Sequence, residues 1–477
     1  MNRIKLRYIM WSGFIGMLTI GNSNAQEIMT LEKCRELALE NNTSAAIAKR
    51  SKDKAEYTQK AYWANYFPKI SATGNYLYTN AALNKSLPAN YLPTFVPDPA
   101  TGELIPNILT IGADGNPIFK EYAYFPEMDL LFKLSGTWMA GLRVEQPVYT
   151  GGKVTSAYNM SKIGNEIAVL NQDLTRADII VKTDEAYWTY VQTNELLKLA
   201  LSYQEVVTEL LRNVKDAQEV GLKHKNDVLK VQIKLNEAEL RIRQAENGLN
   251  LSRMNLCHVM GISLATGIIL PESFDDHPFG SLDRTTDYSH RPEYAILDQQ
   301  VKLKDQQVKL TRSEFLPQIG IMANYGYING LEMNGNKLLD RTSFSVMASV
   351  SIPLFQWGEG RNKVRVAKTE HDIMQLQRDE LSEMMELELT QALDKCDESI
   401  LEVALTARSL QQAEENRIVS EDMYNSGIET TADYLESQSV WQQAWMEYIN
   451  VRTHQRLNWT YYQKATGKLY RPYQRLP

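Results

Sequence analysis

The three cysteines and six histidines of this 477-residue chain are the residues best suited to metal or nucleophile chemistry. Their spacing supports neither. Cys34, Cys257 and Cys396 are an odd number spread along the chain, which is no disulfide framework and no set of metal ligands. No two histidines stand four residues apart, and no HExxH motif occurs. Cys396 falls in the series Leu389, Leu393, Cys396, Ile400, Val403, Ala407 and Leu410, a helical seam that predicts a small buried thiol. Gly151-Gly152 lies between a predicted strand and a predicted helix, but without the rest of a phosphate-loop pattern. The sequence therefore predicts no enzyme and no cofactor. What remains is charge gathered at two places, Lys223-His224-Lys225 and Glu429, Asp433 and Glu436. Asp433 falls in the first turn of a predicted helix, where a carboxylate suits the helix dipole.

The elements that position these charges come twice. Pro147, Gly152, Gly221, Asp227, Leu229 and Gly261 return as Pro353, Gly358, Gly427, Asp433, Leu435 and Gly467, always 206 residues later. Upstream, Tyr66-Phe67-Pro68-Lys69-Ile70 matches Phe315-Leu316-Pro317-Gln318-Ile319 at an interval of 249, so the first copy holds 43 extra residues. Such a unit is far longer than a solenoid repeat. It is a duplicated half-protein, with the first repeat at 26–264, a linker at 265–290, the second repeat at 291–467 and a tail at 468–477.

Each half opens with a predicted helix, about Leu31 to Phe67 and Pro292 to Leu316, that exits at Pro68 or Pro317. Two alternating strands follow. In the first copy Ile70, Ala72, Gly74, Tyr76 and Tyr78 lead to Trp138, Ala140, Leu142 and Val144. In the second, Ile319, Ile321, Ala323, Tyr325 and Tyr327 lead to Phe344, Val346, Ala348, Val350 and Ile352. Period-2 segments of about 9–11 residues with aromatics toward their ends are the signature of membrane β-barrel strands. A soluble half-buried sheet shows the same alternation.

A long helix is predicted from about Gly152 to Val220 and again from about Gly358 to Ser426, each roughly 100 Å at 1.5 Å per residue. Ile163, Ile167, Leu170, Leu174, Ala177 and Val181 step by four and three, a heptad seam. At Gly221 and Gly427 the chain turns. The returning helix carries Val228, Val231, Leu235, Ala238, Ile242, Ala245, Leu249, Ser252 and Leu256 on one face.

The N-terminus reads as a secretory signal at 1–25. Arg3, Lys5 and Arg7 precede an apolar run from Tyr8 to Ile20, and Ser23-Asn24-Ala25 offers a cleavage site. No cysteine follows it, so no lipid anchor is indicated there. A net charge of −7 with no basic block argues against nucleic acid. No other stretch approaches ~18 apolar residues, so no transmembrane helix is predicted beyond the signal. Four barrel-like strands cannot close a sheet, since membrane barrels need at least about eight, and open edges are not tolerated in lipid. The chain must therefore assemble with copies of itself.

The chain resembles the TolC-like outer-membrane efflux proteins of Gram-negative bacteria over nearly all its length. The carriers are the duplication and the strand-exit motifs Gln146-Pro147-Val148-Tyr149-Thr150-Gly151-Gly152 and Ile352-Pro353-Leu354-Phe355-Gln356-Trp357-Gly358. The hairpin tips complete them, Val220-Gly221-Leu222 through Asp227-Val228-Leu229 and Ser426-Gly427-Ile428 through Asp433-Tyr434-Leu435. The resemblance implies a homotrimer forming a twelve-stranded outer-membrane β-barrel continuous with a periplasmic α-helical barrel. It also implies a periplasmic adaptor and an inner-membrane transporter as partners, with the duct serving drug efflux or protein secretion. Substrate selection then belongs to the inner-membrane partner.

Particular residues follow from the same resemblance. Asp433 and Glu436 match positions that form acidic rings at the tunnel constriction, favouring cations. Tyr424 and Asp227 match a closed-state latch, and Glu429 stands where that latch carries a basic residue. The departure makes a differently built latch the expectation, with Lys223, His224 and Lys225 as candidates to face Glu429. Gly221, Leu222, Gly427 and Ile428 are the expected adaptor contacts, because an apolar side chain beside a turn glycine needs a partner's surface. Packing of Leu222 and Ile428 on their own hairpins is the alternative. Thr79 to Gly136, with the turn signal Asp114-Gly115-Asn116-Pro117, is expected as an enlarged extracellular loop, with or without a small hairpin of its own. A competing reading of the whole chain is a non-conducting periplasmic scaffold or adaptor, which has no need of four lipid-facing strands.

Overall fold

A computed structural model describes residues 29–269, 282, 284, 288, 289 and 291–470. The expected signal segment and most of the inter-repeat linker lie outside the described residues. The chain forms two compact units: residues 53–167 with 299–377, and residues up to 52 with 168–298 and from 378 onward.

The first unit holds the strands. β1 (Lys69–Leu77), β9 (Met128–Tyr149), β10 (Gln318–Met333) and β11 (Asn336–Ser351) form an antiparallel sheet in the order β1-β9-β10-β11. Its register carries one face across all four strands. Ala72 lies opposite Leu142, Leu142 opposite Tyr325, and Tyr325 opposite Phe344. The rows beside it run Ile70, Val144, Ala323, Val346 and Gly74, Ala140, Tyr327, Thr342. Because side chains alternate across the pleat, the other face carries Ser71, Arg143, Asn324 and Ser345, with Thr73, Gly141, Gly326 and Ser343 beside them. On this polar face the Arg143 Nε–H donates to Asn324 Oδ1 at 3.1 Å. One face is oily and the other wet, as the alternation predicts.

Two expectations need correction. Three of the four strands are longer than 9–11 residues: β10 and β11 each have 16 and β9 has 22, while β1 has nine. Much of the 79–136 segment is therefore not loop. β9 begins at Met128, and β2 (Ala82–Leu87) pairs with its first residues. Between them lie three small ladders: β3 (Asn90–Pro93) with β8 (Tyr122–Phe125), β4 (Phe95–Pro97) with β5 (Leu104–Pro106), and β6 (Ile108–Ile111) with β7 (Pro117–Phe119). The Asp114-Gly115-Asn116-Pro117 signal does make a turn, with the Gly112 N–H donating to Asn116 O at 2.8 Å.

The first predicted helix is also divided. α1 (Leu31–Asn41) ends at Asn42, whose backbone is extended, and α2 (Thr43–Trp63) begins anew. Asn42 explains the break, because its side chain has two better uses than a helix interior. Its Oδ1 accepts from the Ser44 N–H at 2.7 Å, and its Nδ2 donates to Val259 O at 2.8 Å.

The second unit is helical. It contains α1, α4 (Lys225–Met260), α7 (Thr431–Ala465), the start of α5 (Pro292–Ser313), and the later turns of α3 (Lys153–Glu219) and α6 (Glu359–Asn425). The α4 seam behaves as written in the sequence, with Val231, Ala238, Ile242, Ser252 and Leu256 buried. On α6 the seam departs from expectation at one position. Ile400 is exposed and Ser399 is buried in its place, its hydroxyl donating to Cys396 O at 2.8 Å. Apolarity alone therefore does not mark the buried position on this turn. Cys34, Cys257 and Cys396 are all buried and free, and burial pushes the Cys34 thiol up to about 12.

Buried charge also ties this unit together. Asp184 on α3 is fully buried and accepts from Arg35 of α1 at 2.7 and 2.5 Å and from Thr460 of α7 at 2.6 Å. A second cluster joins Arg291 to Glu293 at 3.1 Å and to Glu388 at 2.8 Å, with the Tyr470 hydroxyl donating to Glu293 at 2.7 Å.

Candidate gate at the tips of the helical hairpins

Both tips are built the same way. Gly221 and Gly427 adopt φ of +79° and +76°, the left-handed region that favours glycine. The Leu222 N–H reaches Ala217 O at 2.8 Å and the Gly221 N–H reaches Gln218 O at 3.0 Å. At the other tip Ile428 reaches Met423 O at 2.9 Å and Gly427 reaches Tyr424 O at 3.0 Å. These paired bonds close α3 and α6 with Schellman motifs, which commonly fold the residue after glycine back onto the last turn. Here that residue points outward. Leu222 is 77% exposed and Ile428 76%, so neither packs on its own hairpin.

The returning helices are capped by the two equivalent aspartates. Asp227 Oδ2 accepts from the His224 N–H at 3.3 Å. Asp433 Oδ2 accepts from Thr430 Oγ1 at 2.6 Å, while Thr430 Oγ1 accepts from the Asp433 N–H at 3.2 Å. In the first turn of α7, where a carboxylate suits the helix dipole, Asp433 therefore also makes a cap. It leaves the carboxylate exposed, on the same helix face as the exposed Glu436 three residues on. The exposed side chains continue along α7 through Val440, Gln443 and Glu447, at steps of four, three and four.

Tyr424, Asp227 and Lys223 come together between the two hairpins. Tyr424 is half-buried and stacks on Tyr434 of α7, with ring centroids 4.9 Å apart and planes 12° from parallel. Lys223, from the other hairpin's turn, places its Nζ 4.6 Å from the centre of the Tyr424 ring. A cation over an aromatic face is attracted by the ring quadrupole. Burial raises the pKa of the Tyr424 hydroxyl, and the charge of Asp227 acts in the same direction. Glu429 stays with its own hairpin and accepts a hydrogen bond from Ser420 Oγ. The basic tip thus engages the tyrosine ring instead of Glu429.

Beneath this contact the two hairpins share an apolar core of Tyr203, Val207, Leu210, Val214, Val231 and Leu435 with Tyr434. Burial, and then the charge of Glu421, push the Tyr434 hydroxyl up to about 12. Arg417 of α6 lies over the Trp441 ring at 5.3 Å and pairs with Glu414 at 2.8 Å and Glu421 at 3.0 Å. Continuing the α6 seam from Leu410 by threes and fours, through Ala413, Arg417 and Ser420 to Tyr424, finds both residues on the packed face. Their burial is thus encoded in the spacing of the seam.

An alkaline titration follows from Tyr434. In the unfolded chain it ionises near 10, whereas the folded chain holds its proton to about 12. The unfolded state therefore binds fewer protons between these values, and stability is intact below pH 10 and lost as pH rises toward 12. Unfolding midpoints measured from pH 9 to 12 check this, with Tyr434→Phe expected to flatten the decline.

The model of the outer membrane efflux protein family matches residues 34–261 and 289–468. The chain belongs to that family. As an outer membrane efflux protein it is placed in the outer membrane and in transport. Alkaline protease secretion protein AprF of Pseudomonas aeruginosa is 23% identical over 266 residues. That match covers 53% of this chain and 54% of AprF, so the chain spans about half the length of this curated relative. Among solved structures, the Campylobacter jejuni CmeC outer membrane channel superposes with a TM-score of 0.71 at 17% identity, covering 98% of this chain and 94% of that one. VceC of Vibrio cholerae gives 0.70 at 14% identity, covering 92% and 96%. At these identities the likeness establishes the fold, and this efflux protein shares it almost end to end.

Proposed function

We propose that three copies of this chain form an outer-membrane exit duct, a twelve-stranded barrel opening into an α-helical tunnel, for a tripartite efflux or type I secretion system. The observation that carries the reading is the sheet. Four strands present one apolar face and one polar face in continuous register, while among the described residues β1 and β11 each keep an unpaired edge. Edges of this kind cannot remain open in lipid. Joining β1 of one copy to β11 of the next removes them and leaves the wet face lining a lumen. α6 supports the same assembly, since Leu376, Met384, Leu387 and Leu401 are exposed and want cover. A non-conducting scaffold would leave the apolar sheet face without purpose.

Within that duct the exposed Asp433 and Glu436 ring the constriction and favour cations. The Lys223–Tyr424 contact holds the two hairpins of one protomer together in the closed state. The outward Leu222 and Ile428 meet a periplasmic adaptor, and an inner-membrane transporter selects the cargo, in the way the name of AprF ties that relative to protein secretion. The native mass of the detergent-solubilised protein tests the assembly. Three copies are expected, and a stable monomer or dimer would contradict the reading.

A further inference from the structure

β2 behaves as part of the barrel edge and not as part of a loop. β1 pairs with β9 along Thr137–Glu145, and β2 pairs with the same strand along Met128–Lys133. From Leu77 to Ala82 the chain takes five steps, while their partners Thr137 and Lys133 lie four steps apart. One extra residue on one strand is a β-bulge, which bends a strand and lets pairing resume. Residues 69–87 thus make one bulged strand along the side of β9 away from β10.

The opposite edge has the matching length. β11 has 16 residues, of which the nine of β1 could cover little more than half, and the six of β2 nearly complete the count. About 9–11 residues cross a bilayer, so β1 suffices for lipid and β2 lies beyond it. Without β2 the outer part of β11, Asn336–Arg341, would keep an open ladder of N–H and C=O groups, which natural sheets avoid. β2 is itself exposed along its whole length, with Leu83 63% exposed.

We propose that β2 pairs with Asn336–Arg341 of a second copy of this chain, forming an intersubunit clasp outside the bilayer. The inference rests on the closed-barrel reading and extends its seam beyond the membrane. Paired cysteines in the full-length protein separate the two. Directly opposed residues in an antiparallel pair bring their Cα atoms to about 4.5–5.5 Å, within disulfide reach. The native thiols are buried and stay in place.

Ala72→Cys combined in turn with Val346→Cys, Ala348→Cys or Val350→Cys tests the membrane-level seam. Asn84→Cys combined with Lys337→Cys, Leu339→Cys or Arg341→Cys tests the clasp. Under mild oxidation each series is expected to yield covalently linked copies on a non-reducing gel for one partner. Ser86→Cys should then prefer a β11 position two residues earlier than Asn84→Cys does, because the strands run antiparallel. Linkage in the Ala72 series with none from Asn84 or Ser86, in variants that assemble like the parent, overturns the clasp and leaves the barrel standing. No linkage in either series removes the barrel closure and the clasp with it.

Discussion

Arg35→Met is expected to destabilise the folded chain by about 3–5 kcal/mol, the usual cost of stripping a buried charge of its partner. Asp184 has no exposed surface, and Arg35 supplies two of the three side-chain bonds that satisfy it. Thr460 alone would be left to compensate a buried carboxylate. Three helices lose their shared tie at once, because Arg35 is on α1, Asp184 on α3 and Thr460 on α7. The compensating variant gives the account its sharper test. Replacing a whole buried pair by apolar groups of similar volume is often neutral, so Arg35→Met with Asp184→Leu is expected to recover most of the loss. Urea midpoints followed by tryptophan fluorescence read both. A single variant within about 0.5 kcal/mol of the parent, the usual range of surface substitutions, would show that the pair does not tie the three helices together.

Tyr424→Ala is expected to open the tip, and Lys223→Ala to do so more weakly. The ring of Tyr424 receives Lys223 on one side and stacks on Tyr434. A partly exposed cation–π contact is worth about 0.5–1 kcal/mol, and at about 1.4 kcal/mol per tenfold its loss shifts the closed state about two- to fivefold. Removing the ring also costs its packing on the core that the two hairpins share, so Tyr424→Ala should exceed Lys223→Ala. Tyr424→Phe separates the ring from the hydroxyl. If the ring is the latch, phenylalanine stays near the parent. A hydroxyl latch to Asp227 would instead make phenylalanine behave like alanine. Single-channel open probability distinguishes them.

How far the sequence reached depends on the range over which each feature is encoded. The seams of α4, the turn glycines at Gly221 and Gly427 and the alternation of Tyr325 or Val346 are local patterns, and they stand in the structure as written. The break at Asn42 is local too, but its cause is a bond to Val259, 217 residues away. β2 was hidden because one bulge residue puts it out of phase with β1, and because its partner begins ten residues before the legible alternation at Trp138. At the tips, the repeat located Asp227 and Asp433 and the family resemblance singled out Tyr424 and Glu436, all at or beside the ends of α4, α6 and α7. It could not say that Lys223 would cross to the Tyr424 ring, since that choice is made by how two hairpins pack and not by either one. Arg417 was on the seam all along, but a charged residue does not announce burial against Trp441.

Reconstitution of the purified chain in a planar lipid bilayer tests the central claim most directly. The account predicts discrete, cation-preferring conductance that is low in the parent and rises in Tyr424→Ala. Asp433→Asn with Glu436→Gln is expected to lose most of the cation preference. Absence of any conductance from correctly assembled protein, in the parent and in every one of these variants, would contradict the exit duct.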